Sequence, residues 1–250
     1  MNPLVEIIVL VIVGFVTGVI NTIAGGGSLL TLPILIFLGL PPNIANGTNR
    51  IGIFFQSIFT TAGFKSKGVV TFPFSIYIGI SALLGSILGA QIAVDIKGDT
   101  FNKIFAIIMI LVVFYMVFKS KFKHLEGIEK TTGKHLWLSI VLFFFVGIYG
   151  GFIQAGVGFV ILLILSSVNN ISLVKSNAIK VVVVLIYTFA AIAVFIYNNS
   201  INWRLGLTLA LGNAAGGWFA SRWSVKKGDG MIRYFLIVMV IIMAIKLWFF

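Results

Sequence analysis

The hydrophobic positions of this chain fall into long, nearly unbroken runs. Five come first, from Pro3 to Ala24, Ser28 to Leu40, Ile44 to Phe64, Val69 to Ile96 and Phe101 to Phe118. A basic, polar stretch from Lys119 to His135 follows. Five more runs come after it: Leu136 to Gln154, Val157 to Val168, Ser172 to Tyr197, Trp203 to Val225 and Met231 to Phe250. A membrane-crossing helix needs about 20 apolar residues. Most runs meet that length, but the second of each set falls well short. The pattern predicts an all-α polytopic membrane protein. Its expected parts are an N-terminal membrane repeat over 1–118, a basic linker over 119–135 and a C-terminal membrane repeat over 136–250.

The two sets resemble each other in more than hydropathy. Gly14-Phe15-Val16-Thr17-Gly18 pairs with Gly147-Ile148-Tyr149-Gly150-Gly151, and Gly25-Gly26-Gly27 pairs loosely with Gly156-Val157-Gly158. Thr48-Asn49 pairs with Ser176-Asn177, and Gly85 and Gly89 pair with Gly212 and Gly216. Lys97-Gly98-Asp99 recurs as Lys227-Gly228-Asp229, each time ahead of a terminal apolar run. This order predicts an internal duplication. Gly85, Gly89, Gly212 and Gly216 are expected to let helices pack closely, and Asp99 and Asp229 to cap the helices that follow them. Five crossings per half would invert one half relative to the other, as in many secondary transporters. If the short runs are re-entrant, eight crossings remain.

Composition fits a lipid environment. The chain is 60% hydrophobic and 10% charged, against about 25% charged in soluble domains. The net charge of +12 does not point to nucleic acid, because many of the cations lie between apolar runs and no soluble face remains for a basic groove. Lys65, Lys67, the linker lysines, Arg222, Lys226 and Lys227 fall on one side if all ten runs cross, which marks that side as cytoplasmic. The N-terminus lacks the basic region of a signal peptide and reads as the start of a retained first helix. There is no cysteine, which excludes disulfides and thiolate chemistry.

Candidate chemistry sits at the interruptions. Irregular backbone inside a bilayer is tolerated where it is buried in protein or lines a cavity, and transporter sites often lie there. One interruption runs through Asn21, Thr22, Gly25, Gly26, Gly27 and Ser28, the other through Gln154, Gly156 and Gly158. Accessible glycine N–H groups and the positive N-terminal ends of the following helices favour an anion. A plain turn between two helices is the alternative. A second cluster opens the third run of each set: Asn46, Thr48, Asn49 and Arg50 in one, Lys175, Ser176, Asn177 and Lys180 in the other. Its cations would offset the desolvation of an anion. Alternatively Arg50, Lys175 and Lys180 snorkel to the headgroups, and Thr48 and Ser176 act as N-caps. No metal-ligand cluster, cofactor motif or nucleophile–histidine pair is present, which argues against an enzyme.

With these residues in view, the chain resembles the TauE/SafE family of membrane permeases, the sulfite exporters. The resemblance rests on Gly14 to Pro33 with its Ala24-Gly25-Gly26-Gly27-Ser28 break, on Leu38-Gly39-Leu40-Pro41-Pro42, and on Ala45-Asn46-Gly47-Thr48-Asn49. The plan repeats after Phe145, with Val168-Asn169-Asn170 in place of Leu-Pro-Pro. The resemblance implies a multi-pass protein of the cytoplasmic membrane. It would carry a small sulfur-containing anion such as sulfite, thiosulfate or a sulfonate by alternating access, with a proton or sodium ion as possible coupling partner. An anion channel, and a membrane-embedded enzyme or assembly factor, are the competing readings.

The topology gives a direct expectation. In single-cysteine variants, Lys121→Cys should resist an impermeant thiol reagent in intact cells, and Asn2→Cys should react with it. Labelling of Lys121→Cys overturns the orientation. Finding both positions on one side rejects an odd number of crossings per half.

Overall fold

The computed structural model describes residues 3–96 and 128–249, with Thr100, Lys103, Ile104 and Ile107 between them. Almost all of the run from Phe101 to Phe118, the linker up to Gly127, Lys97 to Asp99, and Asn2 lie outside the described residues. Among the described residues the secondary structure is helical. The elements are α1 (Pro3–Ile23), α2 (Ser28–Phe37), α3 (Pro42–Lys65), α4 (Phe74–Asp95), α5 (Gly133–Phe152), α6 (Val157–Ser167), α7 (Leu173–Tyr197) and α8 (Trp203–Phe249).

Boundaries follow local chemistry. Pro42 opens α3, where a missing N–H costs nothing. Helix α4 begins at Phe74, later than the apolar run predicts, with Pro73, which has no N–H to donate, at its N-cap. The last two apolar runs form two helical arms, labelled together α8, that meet in a kink at Gly228, whose φ of 74° and ψ of −175° are not helical. Asp229 does not cap the helix that follows it. Its carboxylate accepts from the N–H groups of Leu173 and Val174, both at 2.9 Å, and so caps α7 across the fold.

The molecule is apolar outside, and its interior combines an apolar core with a polar stripe. Leu4, Ile8 and Ile12 of α1, Leu84 of α4, Phe145 of α5 and Phe189 of α7 are exposed, a surface that suits lipid and not water. Helices α1 (from Leu4), α4, α5 and α7 are long and apolar enough to cross a membrane. The short α2 and α6 bury Leu29, Leu32, Leu35, Ile161, Leu162 and Leu165. Helix α3 spans 24 residues but carries a stripe of polar side chains into the interior. Asn46, Asn49, Arg50, Gln56 and Thr60 are each at most 2% exposed.

Glycines set the helix spacing, as the sequence predicts. Helix α4 lies against α5 so closely that a Cβ on Gly85 or Gly89 would sit 2.0 Å from the carbonyl oxygen of Phe144 or Ile148. Helix α8 lies against α1 in the same way, with Gly212 and Gly216 against the carbonyls of Val11 and Phe15 at 2.1 Å. Helices α3 and α8 run side by side in the same direction, since Gly206 faces Ile51, Gly217 faces Thr60 and Ser221 faces Gly63. Small residues of this kind let membrane helices touch backbone to backbone.

Two substitutions test this packing by midpoint of thermal unfolding in detergent. Gly89→Ala should destabilise by about 1–3 kcal/mol through overpacking. Asp229→Ala should cost about 1 kcal/mol as a lost cap. Gly230→Ala, at a helical position open to space, is the control and should leave the midpoint unchanged or raise it slightly through helix propensity. An unchanged midpoint in Gly89→Ala would reject the close α4–α5 contact.

Candidate functional site

Two interruptions, 24–27 and 153–156, separate α1 from α2 and α5 from α6. The first interruption touches the first turn of α6, just past the second. A Cβ on Gly25 would lie 2.3 Å from the Cα of Gly158, and a Cβ on Gly158 would lie 2.3 Å from the Cα of Gly25. Gly25 also holds a φ of 89°, so this position needs glycine for both its conformation and its neighbour. Among the described residues no protein acceptor engages the N–H of Gly26, Gly27, Ser28 or Gly156. Leu29 and Phe159 already bond back to Gly26 and Gly156 as α2 and α6 begin.

Each interruption leaves the last carbonyls of the preceding helix without intrahelical partners. A cation from a distant helix takes them. The Arg50 guanidinium on α3 donates to the carbonyls of Gly150 (2.9 Å) and Gly151 (2.5 Å) at the end of α5. Longer contacts of 3.4 Å reach Gln154 Oε1 and Asn46 Oδ1. The amide of Asn46 completes the set by donating to the Phe152 carbonyl at 2.7 Å. Phe195 of α7 lies under the guanidinium, 4.8 Å from its ring centroid, close enough for cation–π attraction.

The other end repeats the arrangement. Lys180 Nζ on α7 donates to the carbonyls of Asn21 and Thr22, both at 2.9 Å, at the end of α1. It also donates to Asn177 Oδ1 at 2.5 Å, and the amide of Asn177 donates to the Ile23 carbonyl at 3.0 Å. By these contacts the partner of Asn177 is Asn46, where the sequence pattern pairs it with Asn49. A positive charge at a helix C-terminus is favourable in its own right.

These contacts settle how the polar groups are held. Arg50 and Lys180 are 0% and 2% exposed, so neither snorkels. Lys175 does lie at the surface, paired with Glu129 at 2.6 Å. Thr48 and Ser176 do not cap their helices. Thr48 accepts from the N–H of Asn202 at 2.9 Å, and Ser176 donates to the Ile171 carbonyl at 3.3 Å. The cap of α7 within its own chain segment is Ser172, which accepts from Lys175 N. The Asn21 side chain donates to Gln56 Oε1 at 3.1 Å, and Thr22 accepts from Gln56 Nε2 at 3.3 Å. Asn49 accepts from Thr31 of α2 at 2.6 Å.

Two buried N–H donors are left over, beside the unpartnered hydroxyls of Thr61, Tyr187 and Thr188. Asn49 Nδ2 and Arg50 Nε are buried with no hydrogen-bond partner. Neither Arg50 nor Lys180 makes an ion pair among the described residues. The four described carboxylates are engaged elsewhere: Glu6 near Arg204, Asp95 with Gln91, Glu129 with Lys175 and Asp229 with α7. The interior therefore holds two basic side chains on backbone and side-chain amide oxygens, with the Phe195 ring against Arg50 and no carboxylate partner among the described residues. Gln56, Thr60 and Phe195 belong to this region but escaped the sequence reading. A polar stripe of helical period along Asn46, Asn49, Arg50, Gln56 and Thr60 would have found the first two.

Comparison with known proteins points to a family of membrane transporters. A model of the sulfite exporter TauE/SafE family matches residues 10–247. A probable membrane transporter protein of Haemophilus influenzae is 27% identical over 239 residues, covering 96% of this chain and 93% of that protein. Probable membrane transporter protein ORF9 of a Sinorhizobium species is 26% identical over 238 residues, covering 95% and 90%. Probable membrane transporter protein YfcA of Escherichia coli K12 is 26% identical, covering 96% and 88%. No solved structure gives a significant match. With the family match running from α1 into the second arm of α8, the chain belongs to the sulfite exporter TauE/SafE family and is a multi-pass membrane transporter.

Proposed function

We propose that the protein is a secondary carrier for a small sulfur-containing oxyanion, such as sulfite, thiosulfate or a sulfonate. The observation that carries this reading is the burial of two basic side chains, Arg50 and Lys180, that meet no carboxylate among the described residues, together with the unused donors Asn49 Nδ2 and Arg50 Nε. Cations inside a membrane protein are costly unless paired. Here carbonyl dipoles offset them in part, and a transiting anion would complete the compensation. The free N–H groups at Gly26, Gly27, Ser28 and Gly156 add donors of the kind an oxyanion needs. The family description supports the sulfur-anion class.

The carrier works by alternating access across the cytoplasmic membrane, and its two membrane repeats are inverted relative to each other. The matched clamps support the repeat: Arg50 and Asn46 close the end of α5, and Lys180 and Asn177 close the end of α1. So do the matched glycine contacts of α4 with α5 and of α8 with α1. Asn49, Asn177, the two breaks and Gln154 line the anion path, with a proton or sodium ion as coupling partner. The basic linker faces the cytoplasm.

Purified protein in proteoliposomes tests the proposal. Radiolabelled sulfite or thiosulfate should show saturable uptake and counterflow, and conduction without either would sink the carrier. Asn49→Leu should weaken anion binding roughly ten- to a hundredfold by calorimetry, the worth of one donor to a buried charge, while the protein stays folded. Asn177→Leu also strips the Ile23 carbonyl of its donor and should lose stability as well. Gly26→Val, whose side chain would meet the Phe159 ring 2.6 Å away, should abolish transport. Parent-like affinity in both Asn49→Leu and Asn21→Ala would remove these side chains from the anion path.

A further inference from the structure

The seam between α3 and α8 carries a feature the anion path does not use. Along its outer side runs an apolar groove of about 750 Å³, lined by Phe55, Phe59, Leu211, Ala214, Ala215 and Trp218. Trp218 also lines a second groove, of about 540 Å³, with Lys67, Arg222, Trp223 and Lys226. Because α3 and α8 run in the same direction, Lys67 just beyond the end of α3 reaches the same end of the bundle as Arg222 and Lys226 of α8. Arg222 lies over the Trp218 ring at 5.3 Å, which places a guanidinium at the junction of the two grooves. Among the described residues no carboxylate lines either groove, and Lys67, Arg222 and Lys226 are exposed without an ion pair.

We infer that this seam binds one anionic phospholipid, its acyl chain in the apolar groove and its phosphate among Lys67, Arg222 and Lys226. The dimensions fit. From Leu207 to Arg222 the rise of α8 is about 22 Å, at 1.5 Å per residue, enough for one leaflet of hydrocarbon and the headgroup layer. Ala214 and Ala215 make the groove by leaving out side-chain volume between flanking aromatics. Trp218 and Trp223 belong at the boundary between hydrocarbon and headgroups, and basic pockets between membrane helices on the cytoplasmic side are where anionic headgroups are held. A second copy of the chain is a poor occupant. A two-fold contact through the same patch would set one cluster of Lys67, Arg222 and Lys226 against the other. A free phosphate would leave the apolar groove unfilled.

Native mass spectrometry of delipidated protein tests this with dioleoyl phosphatidylglycerol and dioleoyl phosphatidylcholine as probes. The first lipid bound should be the anionic one, with a preference of roughly tenfold or more, on the order of one such charge cluster. Combined Lys67→Gln, Arg222→Gln and Lys226→Gln should abolish the preference, whereas Lys130→Gln, Lys134→Gln and Arg204→Gln together should keep it. Ala215→Phe, filling the groove, should weaken binding of both lipids at this first site. Equal affinity in the parent, or a preference that survives the triple substitution, overturns the proposal. Displacement of the lipid by inorganic phosphate alone reassigns the cluster to a free anion. A dimer that persists after delipidation and dissociates with Ala215→Phe gives the groove to a second copy.

Discussion

A helix interrupted inside a membrane exposes carbonyl groups that water cannot reach, and this fold is arranged around satisfying them. Both interrupted helices solve the problem with a cation from far along the chain. Arg50 serves Gly150 and Gly151, and Lys180 serves Asn21 and Thr22. Asn46 and Asn177 take the next carbonyl in each case. The clamps need α3 beside the end of α5 and α7 beside the end of α1. That requirement fixes which helices are central. The glycine-lined contacts of α1 with α8 and of α4 with α5 then close the outer layer.

The two clamps are alike in plan and unlike in chemistry. Arg50 is a fork and spans two carbonyls and two side chains, with Phe195 behind it. Lys180 is a point charge and spans two carbonyls and one amide oxygen. A guanidinium loses less freedom per hydrogen bond and cannot be deprotonated in a protein, whereas an ammonium can. The breaks differ in the same sense. One contains three consecutive glycines; the other places Gln154 at a φ of 58° and Gly156 at 74°. The side of the interior closed by Lys180 is thus bordered by the barer backbone.

Much of this was legible in the chain, because lipid imposes simple rules on it. The apolar runs located α1 to α8 within a few residues, and the glycine pairs located the close contacts. The breaks were marked by Gly25 to Gly27 and by Gly156 and Gly158. Position along a run was less informative about partners. Asn49 and Asn177 share a motif, yet Asn46 and Asn177 share a task, since the task depends on which carbonyls end the facing helix. Asp229 looked like a local cap and serves α7 instead, because the bend at Gly228 turns its carboxylate toward Leu173. Gln56 was hidden in an apolar run whose polar face becomes visible only at helical period.

The contact of Gly25 with Gly158 has a mechanical side. At 2.3 Å from a would-be Cβ, neither glycine leaves room for a cushion of side-chain atoms. Soft contacts absorb motion by changing rotamers, and this one has none to change. A shift of one break is therefore passed to the other with no side chain between them to absorb it. Any motion that displaces the start of α2 has to displace the start of α6 with it.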